Sequence, residues 1–417
     1  MVGAVTPARG VLFVDREREQ ADPVHRDRHG GDRLLPSRAM TIATPTAEST
    51  GLEVFVKQPL GGVDRRAILP MLAEHGLRVA REDLAAQRRK LQPEAPAIAD
   101  DACVLLLGGS NGILRQVAVQ LLFAESVPVH AVHYDSAKLQ IGPHHAQAIS
   151  DAAREVGVDA AFRNEDATKP DVIAQVVAEL AAKYRVVHLI NGIAAGATKR
   201  YEQFGKAFVK DLDVAFDGVR QTPDFSRGEN VRKLGLVEVD IATQADIDRT
   251  NKMMGNSTDP WADALATAGL LVRGESVVAF ADYDFEKDDP VYGMGPLAGA
   301  KILQRESMAR IRAAHGVATI RICYPPLCTT AIGAIPGGML MFAGSTELLL
   351  RDGTFKGIAA LAQDTMAIFG DAARESGILR LDSAYQAALP EFHALSDRLT
   401  NENVRAELSR VIGASIG

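Results

Sequence analysis

A chain of 417 residues can build one large α/β domain or two ordinary ones, and 47% apolar with 24% charged residues describes a globular protein with a substantial core. A formal net charge of −7 argues against a nucleic-acid binder, and no run of about 18 apolar residues is present to cross a bilayer as a helix. The three cysteines, Cys103, Cys323 and Cys328, are too few for a secreted disulfide scaffold and read as small apolar residues in a reducing, cytoplasmic compartment.

Residues 1–50 are polar, charged on both signs and aperiodic, which predicts a disordered extension ahead of a single enlarged domain over 51–417. "LEVFVKQ" reads as a short strand, and residues 64–92 read as helical with an interruption at Pro70. After a linker at 93–98, strands and helices alternate. "ACVLLLGG" (102–109) is an apolar run of the kind buried on both faces of a parallel sheet. "VPVHAVHYD" (127–135), "DAAFRNEDAT" and "VVHLINGIAA" (186–195) supply three more strands, each preceded by a helical pattern. A detour without clear periodicity leads to "ESVVAFADYD" (275–284), a long helix, "VATIRICY" (317–324) and C-terminal helices. The order predicts an α/β fold, a doubly wound parallel sheet of Rossmann type with an added N-terminal segment and C-terminal helices. Adjacent His144 and His145 point apart on a helix, so they suit a solvated helix start better than a shared metal, and no metal site is expected.

Four constellations lie at strand ends. In "GGSNGILR", Gly108, Ser110, Asn111 and Gly112 bring backbone and a helix N-terminus to where a pyrophosphate would sit, or form a plain tight turn. Leu114 stands where the usual spacing has another glycine. Asp135 ends the second strand, where a carboxylate accepts ribose hydroxyls and repels a 2′-phosphate, favouring NADH over NADPH, or else caps a helix. Asp166 ends the third, either toward an adenine amino group or as a helix cap, and Asn191 opens a small-residue exit that leaves room for a nicotinamide ribose or serves as an ordinary loop. Finally, Tyr292 and Lys301 flank a turn and a helix start. A nearby ammonium lowers a phenol's pKa from about 10 if the pair is semi-buried, and the same lysine can hold the nicotinamide ribose.

This succession of glycine loop, strand-end acid, long detour and Tyr-x8-Lys resembles the FabV-type trans-2-enoyl thioester reductases, enlarged relatives of the short-chain dehydrogenases. The likeness continues through "ATQADIDRTNKMMG", "WADALATAGLL", "PVYGMGPLAGAK" and "CTTAIGAIP" and covers residues 52 to 400. It implies NADH-dependent reduction of an enoyl thioester linked to CoA or a carrier protein, by a monomer or homodimer, with no nucleic-acid or membrane partner. Tyr292 would orient or protonate the enolate, Lys301 would support it, and Thr329 would approach the nicotinamide carboxamide or a phosphate. The family's second tyrosine falls at Asp282, with Tyr283 one place on, so either residue is a candidate participant in proton transfer. These departures suggest a member of specialised metabolism. A carbonyl reductase on the same fold, or a binding protein with a dismantled site, are the competing readings.

Overall fold

The computed structural model describes residues 50–93, 98–135 and 140–414; all but the last residue of the extension expected over 1–50, and most of the 93–98 linker, lie outside them. Nine strands occur among the described residues: β1 (Ala102–Leu107), β2 (Val129–His133), β3 (Ala160–Asn164), β4 (Val186–Asn191), β5 (Ala207–Val214), β6 (Val231–Val239), β7 (Val277–Asp282), β8 (Ala318–Cys323) and β9 (Ile378–Arg380). Seven form one sheet in the order β3-β2-β1-β4-β7-β8-β9, with every neighbouring pair parallel. The fold class read from the sequence is therefore the one found.

The apolar strands explain the two-sided cover. All six residues of β1 and of β4 are buried. On β1, Val104 and Leu106 pack toward the helices Leu77–Arg88, Gly112–Phe123 and Gly142–Val156. Cys103, Leu105 and Leu107 pack on the other face toward Pro170–Ala181, Thr258–Thr267 and Pro296–His315. This alternation is what a strand with period two produces when both faces are covered.

The detour between β4 and β7 holds the antiparallel hairpin β5–β6, which the sequence reading left unassigned. Leu212, Val214, Leu234 and Leu236 of that hairpin bury against helices Gly338–Arg351 and Ser383–Arg398, forming a third core. "LEVFVKQ" makes only one bridge, Val54 with Leu236, rather than a strand. Its backbone crosses over Gly235, where a Cβ would stand 2.7 Å from the Glu53 carbonyl oxygen. Nor does Pro70 end its helix: Arg65–Met71 runs on through one wide turn, Leu72–Gly76, into Leu77–Arg88. A wide turn of that kind lets the chain absorb a missing N–H without stopping. No helix among the described residues is long and apolar enough to cross a membrane.

Strand order reverses on either side of β1, since β2 and β4 flank it. In such sheets the crevice at the carboxyl ends of these strands is where ligands bind.

Candidate active site

At the end of β1 the backbone turns through Gly108, Gly109 and Gly112 with φ of 102°, 107° and 63°, a region side chains disfavour. The helix Gly112–Phe123 starts there, and its N-cap Asn111 makes no side-chain cap bond, so the first-turn amides remain available to an anion. Thr329, in the loop after β8, faces this start: its Cγ2 lies 3.7 Å from where a Cβ on Gly112 would be. Buried His145 braces the loop from behind. Its Nδ1 lies 3.2 Å from the Ser110 carbonyl oxygen and 3.1 Å from Asn111 Oδ1, both acceptors, so this nitrogen carries the proton. Burial first, then the charge of Arg115, hold this imidazole well below its ordinary pKa and neutral. The sequence reading gave His145 only a solvated helix start; the "HH" pair is its only signal.

Leu114 does not close the crevice. It is 2% exposed and lies in the core beneath the loop. A Cβ on Gly192, just past β4, would meet Leu114 Cδ1 at 2.5 Å, so the bare Gly192 makes the room that the missing loop glycine would have left.

Asp135 stands beside the glycine loop. A Cβ on Gly142 would fall 2.5 Å from Asp135 Oδ2 and 2.7 Å from Asn111 Nδ2, so both side chains converge on the same helix start. Asp135 Oδ2 is also 2.8 Å from His133 Nδ1. Asp166 accepts from the Thr168 amide at 2.9 Å and the Thr168 hydroxyl at 2.7 Å through one oxygen, a local turn. Asn191 behaves differently from the expected cofactor contact. It is wholly buried, donates to Ser257 Oγ (3.0 Å) and Thr258 Oγ1 (2.8 Å), and accepts from the Ile193 amide (3.0 Å). We assign it to fixing the strand exit.

Tyr292 sits in a tight turn after β7. Asp289 Oδ1 accepts from the amides of Val291 (2.8 Å) and Tyr292 (2.6 Å), an Asx turn that sets the tyrosine's backbone. The turn is closed against other chain segments: a Cβ on Gly293 would meet the Glu286 oxygen at 2.3 Å, and one on Gly295 the Lys199 oxygen at 1.9 Å. Tyr292 packs against an apolar cluster that includes Met254 and Leu297 and that Val209 and Ile335 also join, a wall drawn from the β5 hairpin, the loop after β8 and two helical segments.

Lys301 does not reach Tyr292 directly. Its Nζ donates to the Ala281 carbonyl (2.6 Å) and Gln304 Oε1 (3.1 Å) and lies 3.8 Å from Asp282 Oδ1. It approaches instead the ring of Tyr283, at 5.3 Å from the centroid, and Tyr283 meets Tyr292 edge-on with centroids 4.7 Å apart. The order is therefore lysine, first phenol, second phenol. The ammonium is held back at β7 by the Ala281 carbonyl and by Gln304, with the fully buried carboxylate of Asp282 at ion-pair distance. Nor is Tyr292 acidified, as a lysine in contact would have made it. Burial first, then the negative field of Asp289, push its hydroxyl above the ordinary phenol value. Burial likewise lowers Lys301 against the opposing pull of Asp282.

Asp282, expected as a participant in proton transfer, is closed within cations: Arg305 at 3.0 Å, Arg321 at 3.3 Å and Lys301. Asp284, Cys323 and Asp382 form the one candidate metal cluster among the described residues. Arg321 and Arg380 already pair with its carboxylates. Tyr283, not Asp282, thus stands beside Tyr292.

The model of the trans-2-enoyl-CoA reductase catalytic region matches residues 140–363, more than half of the chain. Among similar curated proteins, an NADH enoyl-[acyl-carrier-protein] reductase of Burkholderia cenocepacia is 26% identical over 320 residues, covering 72% of this chain and 78% of that protein. Its counterpart in Pseudoalteromonas atlantica is 25% identical, covering 74% and 82%. Among solved structures, the Clostridium trans-2-enoyl-CoA reductase in complex with NADH aligns with a TM-score of 0.65 at 16% identity, over 79% of this chain and 87% of that one. The Treponema denticola enzyme with NAD aligns at 0.63 and 18% identity, over 82% and 92%. At such identities these two speak for the fold alone.

Proposed function

The chain belongs to the trans-2-enoyl-CoA reductase family, and on that premise we propose that it reduces the α,β double bond of an enoyl thioester with NADH. The observation that carries this reading is the arrangement along one sheet edge. The glycine turn, the bare helix start and Asp135 lie at the ends of β1 and β2, and the paired phenols lie just past β7. The residues present fit the dinucleotide: a glycine cradle facing Thr329, uncapped amides for the pyrophosphate, and a carboxylate where the adenosine ribose would lie.

When bound, NADH supplies the hydride for the β-carbon. The remaining chemistry belongs to this chain. Reduction of the conjugated system places negative charge on the thioester oxygen and then requires a proton at the α-carbon. Tyr292, held protonated by burial and by Asp289, is a hydrogen-bond donor to that oxygen and a source of that proton. Tyr283 fixes the Tyr292 ring edge-on, and Lys301 sets a positive charge beneath Tyr283 that favours the developing anion. The apolar wall of Val209, Met254, Leu297 and Ile335 excludes water and suits an acyl chain.

Residues 51–417 act in this reading as a single enlarged reductase domain, in the cytoplasm, as monomer or homodimer. The thioester is carried by CoA or a carrier protein. The altered loop and the Asp282–Tyr283 pair favour a substrate of specialised metabolism over a simple fatty chain.

The test is NADH oxidation with a trans-2-enoyl-CoA as substrate. Tyr292→Phe should lower kcat by about 100-fold or more while leaving the KM for NADH nearly unchanged. Unaltered turnover in that variant would remove Tyr292 from the mechanism.

A further inference from the structure

The acid at the end of β2 is held more firmly than its role as a ribose acceptor requires. Asn164, at the end of β3, grips its backbone reciprocally. Asn164 Nδ2 donates to the Asp135 carbonyl at 2.8 Å, and the Asp135 amide donates to Asn164 Oδ1 at 2.8 Å. This side-chain amide adds one rung to the β2–β3 ladder beyond His133 and Asn164, where the backbone register ends. His133, 4% exposed, then fixes the carboxylate through Nδ1 at 2.8 Å.

Beside this pair lies an open recess of about 210 Å³, lined by the polar His133, Gln147, Ser150 and Asn164 and by the apolar Pro143, Ala146 and Phe162. Its amide and hydroxyl groups would solvate a carboxylate. An untethered Asp135 thus has a partly polar recess to swing into, away from the crevice. Among the described residues no lysine or arginine pairs with the negative charge of Asp135, and its one ion-pair partner is His133. That charge repels a 2′-phosphate only while the carboxylate stays over the helix start beside Asn111.

From this geometry we infer that His133 and Asn164 are positioning residues that set the choice of NADH over NADPH by keeping Asp135 out of the neighbouring cavity. The inference rests on the NADH reading above. It assigns to these two side chains a selectivity function, distinct from a general contribution to folding, because loss of the tether relocates a charge without removing it.

The experiment compares kcat/KM for NADH and for NADPH in the wild type, His133→Leu, His133→Asn and Asn164→Ala. The wild type should prefer NADH. His133→Leu should lower the NADH:NADPH ratio by about tenfold or more, chiefly through a rise in KM for NADH and a fall in KM for NADPH. His133→Asn, whose amide can place a donor near the Nδ1 position, should restore most of the ratio. Asn164 is exposed, so Asn164→Ala gives a second reading that does not depend on the folding of a core variant, and its ratio should also fall. A ratio unchanged in both His133→Leu and Asn164→Ala overturns the inference while leaving the NADH reading intact. A wild type that binds neither nucleotide overturns the NADH reading itself.

Discussion

At the scale of single residues, the role proposed for Tyr292 is that of a proton donor and not of a base. A phenol flanked by an ammonium would ionise more easily, whereas this one is buried, sits near Asp289 and has Tyr283 interposed before Lys301. Its hydroxyl should therefore stay protonated through the alkaline range, and kcat should show no loss of the donor up to pH about 10. A pH–rate profile with an alkaline fall assigned to Tyr292 near pH 8 would contradict this. Asp289 has a second role, through its two bonds to the backbone amides of the tyrosine's turn. Asp289→Ala should lower kcat about tenfold or more, by displacing the phenol, with little change in the KM for NADH. The tyrosine and the lysine were singled out from their spacing, and their roles are proposals. Their separation was not legible, because it depends on the Ala281 carbonyl of β7 reaching Lys301 Nζ across 20 residues of sequence, a contact made only in the folded chain.

At the scale of elements, the glycine loop is a two-part device. The sequence shows Leu114 in a position where a glycine is usual, and taken alone that substitution suggests crowding. Gly192, 78 residues on and at the end of a different strand, supplies the space. Gly192→Ala should accordingly destabilise the protein by roughly 1–3 kcal/mol through overpacking, and Leu114→Ala in the same chain should recover part of that loss. Urea unfolding of both variants measures the coupling, and strictly additive effects would separate the two residues. A second device anchors the loop after β8. Lys57 donates to Asp211 (2.6 Å) and to the carbonyl oxygens of Ile332 (3.4 Å) and Ile335 (2.5 Å), while the amides of Gly337 (3.0 Å) and Leu340 (3.2 Å) donate to Asp211. Lys57→Met leaves a fully buried carboxylate without its cation and should cost roughly 3 kcal/mol. The alternating strands and helices were legible because buried parallel strands leave continuous apolar runs. The β5–β6 hairpin and β9 were not: the hairpin packs against C-terminal helices more than a hundred residues away, and β9 has only three residues. The anchor was equally hidden, since Lys57, Asp211 and the 332–340 loop meet only in the folded chain.

At the scale of the whole molecule, buried neutral histidines couple stability to pH. His188 accepts from the Val277 amide at 3.2 Å, and burial lowers its pKa to about 4. His130 and His145 are shifted the same way, also chiefly by burial. In the unfolded chain these groups titrate near 6.5, so between pH about 6.5 and 4 the unfolded state binds more protons and stability falls as pH falls. His188 alone should account for a loss of about 2 kcal/mol by pH 5. Thermal unfolding between pH 7 and 5 should show a steeper fall in Tm for the wild type than for His188→Asn; equal slopes would assign the acid sensitivity to other groups. The sequence conveyed the overall class through its strand order, but not these histidines, whose neutrality depends on how deeply two helical layers cover the sheet.

The reductase account is tested most directly by where hydrogen from the nicotinamide ends up. With NADH deuterated at the transferred position and a trans-2-enoyl-CoA, mass spectrometry of the product should find a saturated thioester with one deuterium, on the β-carbon. Deuterium on an oxygen-bearing carbon with the double bond retained, or no saturated product at any enzyme concentration, would contradict it.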